Sequence, residues 1–249
     1  MKRSSIKNQS FQNYEIVIVN DGSTDNSLSI IRKYKKVFQN YKIINNVKNI
    51  GLTKSLNIAA KNAKGEWLAR LDADDVCNYL RLEKQLELIS SENSIALIGS
   101  GCNFINTDNK VIFKKNFGNN SNYIKSQLQK VNAFFPHSSA LIKRSIFFKL
   151  GGYDEFFKFA QDYDLWLRIS EKYKIIASND FLVDIRIHNN RISNSSSKKE
   201  QFIFARVAII SYWLRKNYKI KVDNKLKKVI YKNLIGYISG NFYYQGYFN

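Results

Sequence analysis

Glu15-Ile16-Val17-Ile18-Val19-Asn20, followed by Asp21-Gly22-Ser23-Thr24-Asp25, is the stretch whose reading decides the fold. A short β-branched run that ends in a turn reads as a strand buried on both faces. Ser23 or Thr24 is placed to cap a helix over Leu28, Ile30, Ile31 and Tyr34. The alternation continues outward. Lys42-Ile43-Ile44 is a second strand, and Asn49-Ile50-Gly51-Leu52 leads into a helix with Leu56, Ile58, Ala59, Ala60 and Ala63 that stops at Gly65. A third strand, Glu66 to Leu71, ends at Asp72-Ala73-Asp74-Asp75. Strands alternating with short helices imply βαβ units: an α/β fold with a mixed, mostly parallel sheet flanked by helices. Ligands of such sheets bind beyond the carboxyl ends of the strands, where both acidic turns fall.

The second half departs from this pattern. Ile95 to Asn106 and Val111 to Lys115 read as strands around an Asn106-Thr107-Asp108-Asn109 turn. A polar helix over Ser121 to Val131, a strand over Ser138 to Lys143, a helix over Gln161 to Tyr173 and a strand over Val183 to His188 follow. Leu165, Trp166, Ile169 and Tyr173 share one face of that last helix. Ser193-Asn194-Ser195-Ser196-Ser197 marks a break. It divides the chain into 1–193 and a basic extension, 194–249, read as two helices split near Lys221 to Asp223.

Composition bounds the function. In 249 residues, 44% are apolar and 14% aromatic, enough to fill a core. One proline and 11 glycines exclude collagen-like and proline-rich classes. Cys77 and Cys102 form no CxxC pair, so they read as reduced thiols rather than a disulfide or zinc framework. The net charge of +20 favours an acidic partner. Part of it is compositional, because Lys, Ile and Asn share AT-rich codons and make up 89 residues. No zinc finger, helix-turn-helix or RNP signature accompanies the charge, so no nucleic-acid partner is expected. No signal peptide and no membrane span is visible, which sets the expectation of a cytoplasmic protein. From Lys198 onward, 11 Lys/Arg face Glu200 and Asp223, with Phe202, Phe204, Ile209, Ile210, Trp213 and Leu214 between them. Such a segment suits either peripheral contact with an anionic inner membrane face or packing on the domain as an ordinary amphipathic helix.

Three sets of residues carry chemistry. Clustered carboxylates at Asp72, Asp74 and Asp75 suit a hard divalent cation bridging to a diphosphate, or a helix-capping turn. An EF-hand is excluded, since Val76 and Cys77 occupy the places of an oxygen ligand and the invariant glycine. The turn at Asp21, Gly22 and Ser23 offers backbone N–H groups to a nucleotide, or is only a tight turn. In Gln161-Asp162-Tyr163-Asp164, Asp162 can serve as a general base, while Asp164 reads as complementing the helix dipole. His137 and His188 are the only histidines, and neither shows metal-ligand spacing.

Taken in order, Tyr14 to Ser27, Asn49 to Leu52, Ala63 to Asp75, Lys143-Arg144-Ser145 with Gly151-Gly152-Tyr153-Asp154-Glu155, and Gln161 to Arg168 resemble the family 2 glycosyltransferases of the GT-A fold. The resemblance spans about 5–193. It implies inverting transfer of a sugar from a nucleotide-sugar, UDP being the default, to a glycan or lipid-linked acceptor in bacterial surface polysaccharide synthesis. It also implies a divalent metal, Mn²⁺ or Mg²⁺. Asp21 corresponds to the aspartate at the nucleotide base, with Gly22, Ser23 and Gly51 in the surrounding turns, and Lys54 to a basic residue near the nucleotide. Asp72 and Asp74 correspond to the DxD motif, the first toward the ribose and the second toward the metal, with His188 as a further ligand. Arg186 belongs to an Arg-x-His element near the diphosphate. Asp162 corresponds to the catalytic base, preceded by Gln161 where glutamate is commoner. The family opens with a further strand and a nucleotide-binding turn. By this correspondence Met1 falls inside the following helix, Ile6 to Phe11, so an N-terminally truncated chain is expected, as an impaired remnant or a misassigned start.

Overall fold

In a computed structural model, the structure describes residues 5–89, 94–130, 135–188 and 197–240. The first strand is β1, Ile16–Asp21, paired in parallel with β2, Tyr41–Asn46, so that Ile16 lies beside Tyr41 and Asp21 beside Asn46. Helix α1, Ser27–Tyr34, connects them, and α2, Leu52–Asn62, follows. The cap of α1 differs from the expectation. The helix begins at Ser27, too late for Ser23 or Thr24, and the Asp25 carboxylate accepts its first N–H at 2.9 Å. Helix α2 stops at Asn62 because Ala63 turns extended, before Gly65; the Glu15 carboxylate then accepts the N–H groups of Lys64 and Gly65.

A six-stranded sheet holds the rest: β3 (Trp67–Ala69), β4 (Val76–Cys77), β5 (Ile95–Ile105), β6 (Val111–Lys115), β7 (Leu141–Lys143) and β8 (Lys174–Arg186). Its order is β3-β7-β5-β8-β4, with β6 also on β5. The α/β layering is as expected, but the parallel character is confined to β1–β2 and β5–β8. The other four pairings are antiparallel, since β3 meets β7 and β5 returns through a hairpin. The expected Ser138 to Lys143 strand divides into a 3₁₀ turn at His137–Ser139 and β7.

The expected helix over Ile6 to Phe11 does not form. Residues 5–8 make a turn, and Gln9 is buried behind it. The Gln9 amide donates to Asn78 O at 2.7 Å and accepts from Leu82 N at 3.1 Å. These bonds tie the segment to the start of α3, Arg81–Glu87, in place of an i→i−4 ladder.

The core lies between this sheet and α4 (Ser121–Lys130), α5 (Arg144–Lys149) and α6 (Gln161–Ser170). Leu165, Trp166 and Ile169 are fully buried, but burial is not confined to the expected face: Tyr163, Asp164 and Leu167 are buried too, and Tyr173, beyond the end of α6, is half-buried. Beyond the Ser/Asn-rich break come α7, Lys198–Tyr218, and α8, Asn224–Gly240. Phe204, Val207, Ala208 and Tyr212 of α7 join the same core. The Phe204 ring packs edge-on to Phe156 and tilted against Phe157 and Tyr231. Both cysteines are free and buried.

Candidate active site

The carboxyl end of β3 runs into Asp72–Asp75, and the single proline, Pro136, brings His137 and Ser138 against it. Ser138 Oγ accepts from Asp72 N at 3.0 Å and contacts Asp72 Oδ2 at 2.9 Å; it also meets the Asp75 carboxylate. Arg70 forms an ion pair with Asp72. Burial alone would raise the Asp72 carboxyl, but the Arg70 charge and the hydrogen bonds outweigh it and hold the group below its usual range. Asp75 goes the other way, pushed up mainly by burial, with Asp72 and Asp74 adding repulsion.

Asp74 points outward from this cluster. Its carboxylate meets His188 Nε2 at 2.9 Å, so the two expected metal ligands are brought together. Arg186 is buried beneath them. Its backbone N–H binds Asp75 Oδ1 at 2.9 Å and its Nε donates to Asp74 O at 3.0 Å. Nη1 donates to Asn106 O at 3.0 Å and Nη2 to Asn109 Oδ1 at 2.8 Å. Every guanidinium nitrogen therefore serves a protein acceptor, and Arg186 fixes Asp74 and the β5–β6 turn rather than presenting a loose charge.

Asp162 opens α6, and the N-cap residue of that helix, Ala160, sits in the left-handed region at φ 57°. A non-glycine residue there is strained backbone of the kind that accumulates at functional sites. Burial raises the Asp162 carboxyl above its ordinary value, and the charges of Arg70 and Asp72 act on it in opposite directions. His137 completes the wall. Its Nε2 lies 2.6 Å from the Tyr153 hydroxyl, and burial lowers its pKa to about 3, so the ring is neutral. Asp164, read as a dipole acid, is instead buried in an ion pair with Arg168 at 2.8 Å. Arg168 also donates to Leu150 O and Gly152 O.

Asp21 sits at the end of β1, on a different sheet from this cluster. It accepts from Ile50 N at 3.0 Å, Asn46 Nδ2 at 2.8 Å and Gly51 N at 2.9 Å. Burial would raise its carboxyl; these bonds overcome that and lower it. Gly22, at φ 68°, packs so closely that a Cβ would fall 2.5 Å from Asn49 N. Gly51 is the N-cap of α2 at φ 95°; Ser23 and Lys54 are exposed beside this loop pair.

Local sequence does not mark Arg70, Ser138 or the His137–Tyr153 pair as site residues. One signal exists: the chain's one proline immediately precedes one of its two histidines.

For a metal, Asp74 and His188 supply one oxygen and one imidazole nitrogen, 44% and 28% exposed. Among the described residues no group of three or more His, Cys, Asp or Glu could hold an ion. Two protein donors fit a divalent ion that takes its remaining ligands from a diphosphate and water, as hard cations bound through phosphates do.

A raised, half-buried carboxyl near a paired carboxylate cluster at strand ends suits proton removal beside a group leaving as an anion. Residues 4–151, more than half of the chain, match the family described as "Glycosyl transferase family 2", and the chain belongs to that family. A glycosyltransferase of Methanocaldococcus jannaschii is 31% identical, over 94% of this chain and 80% of its own length. The O-antigen biosynthesis glycosyltransferase WbnJ of Escherichia coli is 32% identical, over 77% of this chain and 75% of its own. S. aureus TarS in complex with UDP-GlcNAc superposes with a TM-score of 0.69 at 19% identity, covering 94% of this chain and 67% of that one. The chain is thus a transferase with the GT-A fold.

Proposed function

We propose that this transferase moves a sugar from a UDP-sugar to a glycan or lipid-linked acceptor in surface polysaccharide synthesis, inverting the anomeric centre in one displacement. The observation that carries the proposal is Asp162, a half-buried carboxyl with a raised pKa at the start of α6, whose charge is felt together with those of Arg70 and Asp72. Its ionised form takes the proton from the acceptor hydroxyl as that oxygen attacks the sugar. Asp21, Gly22, Ser23, Gly51 and Lys54 line the base and ribose end, and Asp72 faces the ribose. Asp74 and His188 hold Mn²⁺ or Mg²⁺, which when bound offsets charge on the leaving diphosphate. Arg186 keeps Asp74 in place. The O-antigen role of the 32% identical relative supports the acceptor class, and the UDP-GlcNAc bound by TarS supports the donor.

We also place the protein in the cytoplasm, peripheral at the inner membrane face, where lipid-linked acceptors reside. Among the described residues no helix is long and apolar enough to cross a membrane.

Donor binding and transfer are measured together. UDP-sugar with Mn²⁺ raises the melting temperature of both the wild type and Asp162→Asn, while only the wild type transfers sugar. Full transfer by Asp162→Asn, or no stabilisation by millimolar donor, overturns the proposal.

A further inference from the structure

Strand β6 is exposed along its whole length: Val111 at 50%, Ile112 at 55% and Phe113 at 47%. It pairs only with β5 among the described residues. Three consecutive exposed apolar residues are unexpected in a soluble edge strand without a function. Lys110 precedes the triad and Lys114 and Lys115 follow it, all exposed, while Asp108 is the only acid between Asn103 and Phe117. Phe113 is stiffened from below by stacking on Phe104 at 4.2 Å.

We propose that the β5–β6 hairpin docks on an anionic bilayer surface, with the apolar triad entering the headgroup boundary and the lysines meeting lipid phosphates. The proposal rests on the peripheral reading above and names the surface that makes the contact. Charge decides between occupants. A second copy adding its own β6 edge would bring six lysines into one ladder, and edge lysines are a device against such pairing. An anionic surface turns the same charges into attraction. The hairpin is also tied to the site. Arg186 grips the turn through Asn106 O and Asn109 Oδ1 while holding Asp74 O, so docking here sets the site at a fixed height above the lipid.

The C-terminal section is the competing contact. The apolar side of α7 that carries Phe204, Val207 and Tyr212 is buried in the core; Phe202 and Trp213, each beside a cation, and Tyr218 stay exposed on α7, as do Ile220, Val229 and Tyr237 beyond it. Deleting it would open the core, so point variants are required.

Full-length chain is co-sedimented with phosphatidylcholine vesicles, with and without phosphatidylglycerol. Wild type binds only the anionic vesicles. Lys110→Gln with Lys114→Gln and Lys115→Gln weakens binding about a hundredfold, from roughly 1 kcal/mol per lysine. Val111→Thr with Ile112→Thr, which keeps strand propensity, weakens it about tenfold. The charge-matched control, Lys225→Gln with Lys228→Gln and Lys232→Gln on exposed α8, stays within a few-fold of wild type. Loss in the α8 control with hairpin variants unchanged overturns the hairpin assignment and leaves the peripheral reading standing. No wild-type binding to either vesicle overturns both. A dimer broken by the Val111/Ile112 variant, without lipid binding, gives the face to a second copy and overturns the proposal. UDP-sugar binding by every variant shows that the fold is retained.

Discussion

His188 Nε2 stands 2.9 Å from the Asp74 carboxylate, although 114 residues separate them in the chain. The contact joins the end of β8 to the turn after β3 and supplies an oxygen and a nitrogen at the mouth of the site. If these two hold the cation, Asp74→Asn and His188→Ala each weaken Mn²⁺-dependent UDP-sugar binding by at least about tenfold. Titration of Mn²⁺ at fixed donor, followed calorimetrically, measures this. Donor binding without metal is expected to change little, because Asp21 and Lys54 lie on other elements.

Asp162 links function to stability with opposite signs. Burial holds its folded pKa above the ordinary 3.8, so the folded chain keeps a proton that the unfolded chain releases. Stability is therefore lost as pH rises from the unfolded value through the raised folded value. Asp162→Asn removes the charge and keeps an acceptor for Tyr163 N, which binds Asp162 Oδ1 at 2.8 Å. Asn at this position is expected to melt higher than wild type at neutral pH and equally below the unfolded pKa. Transfer falls about 10²- to 10⁴-fold. The acid limb of the wild-type kcat/KM profile has its midpoint above 3.8 and is absent from the variant's residual activity.

Local pattern made the first half of the fold legible. The run from Glu15 to Asn20 is found as β1, though half-buried rather than buried on both faces, and the strand expected over Glu66 to Leu71 shortens to Trp67–Ala69 ahead of Asp72. Arg81 and Gln85 were not legible, because α3 is short and its meaning is tertiary: Arg81 donates to Arg70 O and Gln85 to Ser139 O, contacts 11 and 54 residues away. Site residues divide the same way. Asp72 and Asp162 are marked as candidates by chemistry and spacing. Ser138 is an ordinary serine until the fold sets it between two carboxylates, and Arg186 looks like a ligand-facing cation until its partners show that the protein has used it.

Gly22 tests the turn proposed to meet the nucleotide. Its φ of 68° and the 2.5 Å separation that an added Cβ would have from Asn49 N leave no room for a side chain, because backbone cannot yield as a flexible side chain can. Gly22→Ala is expected to cost about 2 kcal/mol or more, combining left-handed strain with displacement of the 48–51 loop. That loop carries the N–H groups bound by Asp21, so donor affinity falls with it. Gly65→Ala is the control, since its Cβ would meet nothing closer than 3.4 Å. Denaturant titration of the two variants is expected to separate them clearly.

The Asp164–Arg168 pair tests whether the acid two residues after Asp162, the proposed base, is structural. Asp164 is 1% exposed, and Arg168 ties it through Leu150 O and Gly152 O to the turn before Tyr153. Arg168→Met strands a buried carboxylate and is expected to cost about 3 kcal/mol, because the buried charge loses its ion-pair partner. Asp164→Asn with Arg168→Met removes both charges and recovers part of that loss, so the double-mutant cycle gives a favourable coupling. Tyr153 meets His137 at the back of the site, so Arg168→Met also shifts the floor beneath Asp162 and lowers kcat more than it raises KM for donor. Equal stability of Arg168→Met and wild type in urea would show that the pair is solvated, and the acid would return to the dipole role that its place in the first turn of α6 suggests.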